Sequence, residues 1–230
     1  MEHLGLEIYK DGGNMVQTFF TPLGTTIPYR QNEVIFEQAG GGQVNVEIKV
    51  NGYYEITCIG AGVGGVGIGS NGTGCAGCTG AAGAGFIGTI NISKGTLILN
   101  IGNGGNKDGG GDSNKTGGTG GNTSIYYGST NIVTCGGGTG GHAWWRGSYA
   151  LGIGGSVTQG SFITNVKESV KGSNGVGNGG YSAIYCTPPL NAYGYTYGNG
   201  GMAYGSPSNY YWEAGDGEPG FVLIKFLRSW

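Results

Sequence analysis

Apolar and polar residues alternate strictly along positions 43–50, in the sequence QVNVEIKV. A period of two is typical of a β-strand with one buried face and one solvent-exposed face. The dipeptide Asn51-Gly52 follows this stretch and is the strongest short signal for a hairpin turn. We therefore predict that this strand pairs with the next apolar run, YYEITCI at 53–59.

The same pattern recurs along the chain. A second predicted pair is GFIGTINIS with TLILNIG, joined at Lys94-Gly95, and a third is TSIYY with NIVTC, joined through residues 128–130. The run GFVLIKFL from Gly220 is apolar on both faces, which indicates a central strand. No stretch shows helical periodicity. The pattern predicts an all-β fold, a jelly-roll-like β-sandwich of about seven or eight strands.

Glycine is the extreme feature of the composition: there are 56 glycines among 230 residues. They gather in tracts between the predicted strands, at 60–85, 102–121, 136–141, 152–155, 172–180 and 198–201. Ordering glycine costs more backbone entropy than ordering any other residue, so successive glycines indicate that backbones approach closely. Gly74, Gly77, Gly80 and Gly83 recur at an interval of three, the period of a polyglycine-II-like helix. We predict ordered segments of this kind packed between or beside the strands.

The first 40 residues differ from the rest. They contain Pro22 and Pro28 and mix polar with aromatic residues, without the long glycine tracts. We predict an N-terminal arm or attachment segment at 1–40 and a glycine-rich β-sandwich domain at 41–230.

Charge and apolar run length exclude several classes of partner. The net charge is −2 and the 11 basic residues are spread thinly, so no basic face for nucleic acid is expected. The longest apolar run, FVLIKFL, is too short to span a membrane, and the first ten residues lack the pattern of a secretory signal. The five cysteines are odd in number, which argues against a disulfide framework.

Two glycine-rich motifs mimic cofactor or metal sites. Residues 60–65 form a GxGxxG after a strand, but no Asp or Glu occurs between Glu55 and Asp108 to hold a ribose, and VGIGSNGTG does not predict a helix. Cys75 and Cys78 form a CxxC without a second pair of ligands. We expect neither a cofactor nor a metal ion.

Catalytic constellations are scarce. The closest acidic pair, Asp216 and Glu218, is typical of a solvated turn before a strand, although two carboxylates in a cleft would suit a glycosidase. Asp108 and Asp112 have no repeat of calcium-loop ligands around them. We predict a chain that is not an enzyme.

Aromatic residues cluster outside the predicted strands, together with Gly, Ser and Asn. This mixture is typical of recognition loops, because Tyr and Trp give large contact areas at low entropic cost. The alternative is that these rings cap the glycine bundle as a hydrophobic lid. The candidate contact residues are Trp144, Trp145, Arg146, Tyr149, Tyr193, Tyr195, Tyr197, Tyr210, Tyr211 and Trp212.

The order of these pieces resembles a known family. GYYEITCIGAG, GFIGTINI, TLILNIGNGG, NIVTCGGG and a closing GEPGFVLI, spanning roughly 43–226, resemble the glycine-rich, polyglycine-II-type domain of phage tail-fibre adhesins and related virion proteins. The resemblance implies layered polyglycine-II strands whose connecting loops touch a host receptor.

The resemblance thus implies a non-enzymatic bacteriophage virion protein, made in the host cytoplasm without a signal peptide. Its arm would bind other virion subunits, its aromatic loops would contact a host-surface glycan or outer-membrane protein, and it would form a homo-oligomer, for which a trimer is one option. The alternatives are a decoration or fibre-assembly protein of capsid or tail that binds only other virion subunits, and a bacterial surface adhesin.

Overall fold

A computed structural model describes residues 10–11, 14–15, 28–70, 74–109, 114–144, 148–180, 184–186, 197–206 and 211–230. Within these ranges the chain is all-β, without a helix. In chain order the strands are β1 Lys10–Asp11, β2 Asn14–Met15, β3 Val34–Ala39, β4 Gly42–Ile48, β5 Gly52–Ile59, β6 Val66–Ser70, β7 Gly74–Cys78, β8 Gly85–Ile92, β9 Gly95–Ile101, β10 Asp108–Gly109, β11 Lys115–Thr116, β12 Thr123–Tyr127, β13 Thr130–Cys135, β14 His142–Trp144, β15 Ser148–Ala150, β16 Val157–Gln159, β17 Ile163–Val170, β18 Gly177–Gly180, β19 Ile184–Cys186, β20 Ala203–Ser206, β21 Tyr211–Ala214 and β22 Phe221–Ser229.

Two five-stranded sheets form the sandwich, and both are antiparallel. Their strand orders are β16-β13-β12-β9-β4 and β17-β8-β5-β22-β3. Alternate residues of both sheets point inward and are buried together, as the period-two pattern predicts. The predicted sandwich is thereby confirmed. The largest fully buried side chains between the sheets are Tyr54, Phe86, Ile48, Ile56, Ile90, Ile92, Leu97, Leu99, Ile101 and Ile125.

Strand pairing corrects two of the predicted hairpins. β4 pairs with β9 and not with β5, and β8 pairs with β5 and not with β9, so both tight turns cross between the sheets. Because of each crossing, two consecutive strands lie in opposite sheets and face one another across the core. They do not lie side by side in one sheet. The third predicted hairpin, β12 with β13, is confirmed. The C-terminal strand β22 pairs on both edges, as expected of a central strand.

The sandwich strands continue at one end into glycine-rich segments that pack side by side. We call these segments the glycine bundle. They carry no strand assignment, and all of them except 197–202 directly adjoin a strand of the sandwich. The segments are residues 60–65, 79–84, 102–107, 117–122, 136–141, 151–156, 171–176, 197–202 and 215–220.

Hydrogen bonds in the bundle have a period of three. Along residues 60–65, consecutive N–H groups donate in turn to three different neighbours, segments 79–84, 117–122 and 215–220, and the cycle then repeats. Such threefold bonding is the arrangement of packed polyglycine-II helices, which have three residues per turn. The donor–acceptor pairs are Gly60 to Ala84, Ala61 to Gly121, Gly62 to Glu218, Val63 to Ala81, Gly64 to Gly118 and Gly65 to Gly215, at 2.8–3.1 Å.

Part of the predicted N-terminal arm packs onto the sandwich. Strand β3 adds to the edge of the sheet beside β22, and the ring of Tyr29 lies against Tyr54 and Phe226. The Tyr29 hydroxyl donates to Glu47 O and accepts from Lys49 N–H, each at 3.2 Å. Residues 28–40 therefore belong to the packed sandwich, and an attachment role for 1–40 stays a prediction.

Candidate functional site

Topology gives the molecule two different ends. The segments of the bundle connect, on the side away from the sandwich, to short strands and hairpins, β6-β7, β10-β11, β14-β15, β18-β19 and β20-β21. We call this the distal end. At the proximal end lie Tyr29 and the last strand residues of the chain, since Ser229 pairs with Gly52 at the start of β5. At about 3.1 Å per residue, the six-residue segments separate sandwich and distal end by about 19 Å.

Four candidate aromatic residues lie in the described strands of the distal end. Trp144 ends β14 and Tyr149 lies in β15, and both are exposed. Tyr211 and Trp212 begin β21, which pairs with β20. The remaining candidates between these strands lie outside the described residues. These are Trp145, Arg146, Tyr193, Tyr195 and Tyr210.

Tyr197 differs from the other candidates. It begins the bundle segment 197–202 next to the sandwich, and its ring stacks on that of Phe221, with centroids 4.5 Å apart and an interplanar angle of 7°. Phe221 is the first residue of β22 and is buried. Tyr197 therefore lies at the junction of bundle and sandwich. This position fits the alternative role of the aromatic residues, in which they cap the glycine bundle.

The four glycines at intervals of three divide between two environments. Gly80 and Gly83 lie in the bundle, where a Cβ would come within 1.7 Å of Val63 O and 1.9 Å of Gly60 O respectively. Gly74 and Gly77 lie in β7, where they pair with Ser70 and Gly67 of β6. The chain is therefore an ordinary strand up to Cys78, and the glycines at intervals of three belong to the bundle only from residue 79 onward.

A small apolar cluster supports the distal hairpins. It consists of buried side chains from β6, β7 and β14 and lies under the sheet β11-β14-β15. Its members are Val66, Ile68, Ala76, Cys78 and Ala143. Because Ala143 points into this cluster, the residues on either side of it in β14 must point away.

The outward face of β11-β14-β15 holds two rings that are nearly parallel. His142 and Trp144 stack with centroids 5.6 Å apart and an interplanar angle of 18°. His142 Nδ1 is hydrogen-bonded to Thr116 Oγ1 at 2.8 Å. The sequence prediction missed His142, although its spacing of two from Trp144 on a strand places both on one face.

Two of the acidic side chains singled out in the sequence, Asp108 and Asp216, have structural partners. Asp108 forms an ion pair with Lys115 at 3.6 Å and accepts the N–H of Thr116 at 3.1 Å. Asp216 accepts the N–H of Lys107 at 2.7 Å. Within the described ranges, no three His, Cys, Asp or Glu side chains gather as ligands for a metal ion. Asp112 lies outside those ranges.

The described thiols are buried core groups. Cys135 Sγ–H donates to Cys58 O at 3.1 Å, and Cys78, the described thiol of the CxxC, donates to Thr79 O at 3.3 Å. The hydrogen bond with Cys58, and secondly burial, raise the pKa of Cys135 well above its usual range. A protonated, fully buried thiol is a poor nucleophile.

Residues 60–65, the GxGxxG match, run through the centre of the bundle and continue into β6. All six are buried, and their carbonyls accept from neighbouring segments, as Gly62 O does from Gly105 N–H at 2.9 Å. These glycines therefore serve to let the backbones of neighbouring segments approach closely. A dinucleotide-binding motif would instead need a helix after its third glycine.

Comparison with known proteins does not assign the chain to a family: neither a family model nor a curated protein matches it. In the portion of the chain that the structure describes, there is no apolar helix of the length needed to cross a bilayer.

Proposed function

We propose that this chain is a receptor-binding adhesin of a bacteriophage tail fibre, a non-enzymatic virion protein that displays aromatic residues toward a host-surface glycan or protein. Under this proposal the proximal end, with the N-terminal arm, faces other virion subunits, and the distal hairpins face the cell. The molecule works as a homo-oligomer, with a trimer as the form to test first.

The observation that supports this proposal most is the polarity of the molecule. The bundle places the hairpins with Trp144, Tyr149 and β21 at one end, whereas Tyr29 lies at the other. Exposed Trp and Tyr on short hairpins suit recognition, since they give contact area at little entropic cost. A rigid spacer keeps those hairpins away from the attached end.

The test is binding of the purified full-length chain to a panel of bacterial strains. We expect labelled chain to bind at least one strain, and the double variant Trp144→Ala with Tyr149→Ala, both exposed on the distal hairpin β14-β15, to lose most of that binding. The control is Trp230→Ala, which removes an exposed ring at the proximal end. Equal binding by the double variant and the unmodified chain would contradict the assignment of the distal end to the receptor.

One observation favours a second function, a decoration or fibre-assembly protein. Leu151, Ile153 and Val176 are exposed on neighbouring bundle segments, where the N–H of Thr139 donates to Ile153 O and that of Gly175 to Gly152 O. A flank of apolar side chains suits contact with another subunit. If the chain binds no cells but co-assembles with a capsid or tail subunit, that result would support this second function and contradict the adhesin proposal.

A further inference from the structure

The outward face of the sheet β11-β14-β15 has a simple composition. The cross-strand partners Thr116, His142 and Ala150 form one row, and Trp144 with Ser148 forms the next. Burial alternates along β14, with His142 and Trp144 exposed and Ala143 buried. Among the described residues of this face, Trp144 is the one large apolar side chain, and its neighbours are short.

The rings on this face are fixed before any ligand arrives. Thr116 holds the imidazole of His142 through Nδ1, which leaves the Nε2 edge of that ring available to a ligand. The imidazole in turn lies parallel to the indole of Trp144. Because β14 is paired on both edges, the strand carrying the two rings is also held. Such preorganisation lowers the entropic cost of binding.

We propose that this face binds a neutral sugar ring of a cell-surface glycan, with Trp144 as the stacking platform. The apolar C–H face of a pyranose packs on the face of the indole that is turned away from His142, and a hydroxyl group of the sugar bonds to the hydroxyl of Ser148, the cross-strand partner of Trp144. This inference rests on the proposed adhesin function and narrows its receptor to one chemical class.

Charge and shape favour a neutral sugar over other ligands. Among the described residues of this sheet, the one lysine or arginine is Lys115, which is paired in register with the inward-facing Ala143 and is bound to Asp108, so it adds no positive charge to the outward face. A protein partner takes a cluster of anchors in a packed pocket, whereas the described part of this face presents the indole of Trp144, with the imidazole of His142 stacked on one side of it and short hydroxyl and methyl side chains nearby. One flat aromatic with polar groups around it fits a flat, amphipathic ring.

The experiment uses the full chain and a strain that it binds. Cells are treated with periodate, which cleaves the vicinal diols of sugars, or with a broad protease, and bound labelled chain is measured. We expect periodate to abolish binding and protease to leave it unchanged. Protease-sensitive, periodate-resistant binding would overturn the glycan inference while leaving the adhesin function standing, and binding to no strain would overturn both.

Variants then locate the platform. Trp144→Ala is expected to weaken cell binding by about tenfold or more, as for a central aromatic anchor, whereas Trp144→Tyr keeps a stacking ring and recovers part of it. Trp230→Ala, the proximal control, should bind as the unmodified chain does. Thermal unfolding of each variant checks that it is folded. A folded Trp144→Ala variant with unchanged binding would show that the platform is elsewhere.

Discussion

The sandwich and the glycine bundle are built from stretches that follow one another along the chain, but the two regions are stabilised differently. Between the sheets, large side chains such as Phe86 and Leu99 are fully buried, and they exclude water by apolar packing. In the bundle the central residues are Gly, Ala and Val, and neighbouring backbones bond directly to each other. The sandwich is therefore stabilised by packed side chains, whereas the bundle is stabilised by backbone contacts that larger side chains would prevent.

This difference determines where the sequence is able to vary. A sandwich core accepts other apolar side chains of similar volume, at modest cost. Most interior glycines of the bundle accept no side chain, because backbone atoms of neighbouring segments already occupy the space of a Cβ. The distal hairpins are subject to neither constraint, apart from their small apolar cluster. A bundle of this kind therefore suits a spacer whose display end changes without disturbing the fold.

The largest expected effect comes from adding one methyl group inside the bundle. In Gly80→Ala the new Cβ would lie 1.7 Å from Val63 O and 2.8 Å from Gly201 N, both backbone atoms of other segments. Since neither neighbour has room to move, we expect a loss of more than about 4 kcal/mol in the free energy of unfolding, the size reserved for severe mechanisms. Urea denaturation followed by circular dichroism measures it.

Gly128→Ala is the matched control for Gly80→Ala. Gly128 has a φ of 58° but no atom within 4 Å of its Cβ position, so alanine there suffers backbone strain without a clash and should cost about 1–2 kcal/mol. Similar losses in the two variants would mean that the bundle is not tightly packed.

Removing side-chain volume from the sandwich should have the next largest effect. Ile56→Ala leaves a cavity between the sheets, where Ile56 is fully buried, and we expect a loss of about 2–5 kcal/mol. The volume-conserving Ile56→Leu should cost less than about 1.5 kcal/mol, and Val166→Ala, at an exposed position, less than about 0.5 kcal/mol. If Ile56→Leu were as damaging as Gly80→Ala, the contrast between the two regions would fail.

A third prediction concerns the N–H groups of the bundle that side chains satisfy. The buried Thr79 accepts the N–H of Val176 through Oγ1 at 2.8 Å, and the exposed Thr139 accepts that of Ile153 at 3.2 Å. Thr79→Val keeps the shape but removes the acceptor, which should cost about 1–3 kcal/mol. Thr139→Val should cost less than about 0.5 kcal/mol, because water replaces the lost acceptor. Equal losses would contradict this role of burial.

Seven of the ten sandwich strands were predictable from sequence, whereas β3, β16 and β17 were missed, and most of the strand partners were not predictable. Alternation reveals a half-buried strand wherever it occurs, which is why β4, β9 and β12 match the predicted runs. The turn at Asn51-Gly52 suggests a hairpin, yet whether the next strand pairs or crosses to the other sheet depends on distant partners such as β9 and β22. Only β12 and β13, which do pair, followed the local signal.

The glycine period and the candidate site were predictable to different degrees. An interval of three predicts a polyglycine-II segment, and Gly80 and Gly83 do lie in one. The interval does not reveal that Gly77, three residues earlier, lies in an ordinary strand. Aromatic composition pointed to Trp144 and Tyr149, whose distal position follows from chain topology. Tyr197 has the same composition around it, and only the three-dimensional structure reveals its stack on Phe221.

The smallest effect should come from a charged row on the outer face of the sandwich. Glu55 on β5 is ion-paired with Lys167 on β17 and, at 3.4 Å, with Lys225 on β22. Burial raises the pKa of Glu55, but its hydrogen bonds and attraction to Lys167, and then to Lys225, outweigh burial and lower the net pKa below its usual range. The folded state therefore favours the charged carboxylate over the protonated one.

It follows that this row stabilises the protein above the ordinary carboxyl pKa of about 4.3 and loses its effect as pH falls through the lower pKa of the folded state. Glu55→Gln should cost about 0.5–1 kcal/mol at pH 7, because Lys167 is half exposed and solvent screens the pair. That difference should shrink toward zero as the solution is acidified below pH 4.3. A matched series of urea melts from pH 7 to pH 3 on both chains measures it, with Glu168→Gln, at an exposed position on β17, as the control. A difference that stayed constant with pH would mean that Glu55 acts through packing, and the outer face would then join the core as a region stabilised by side-chain shape and not by charge.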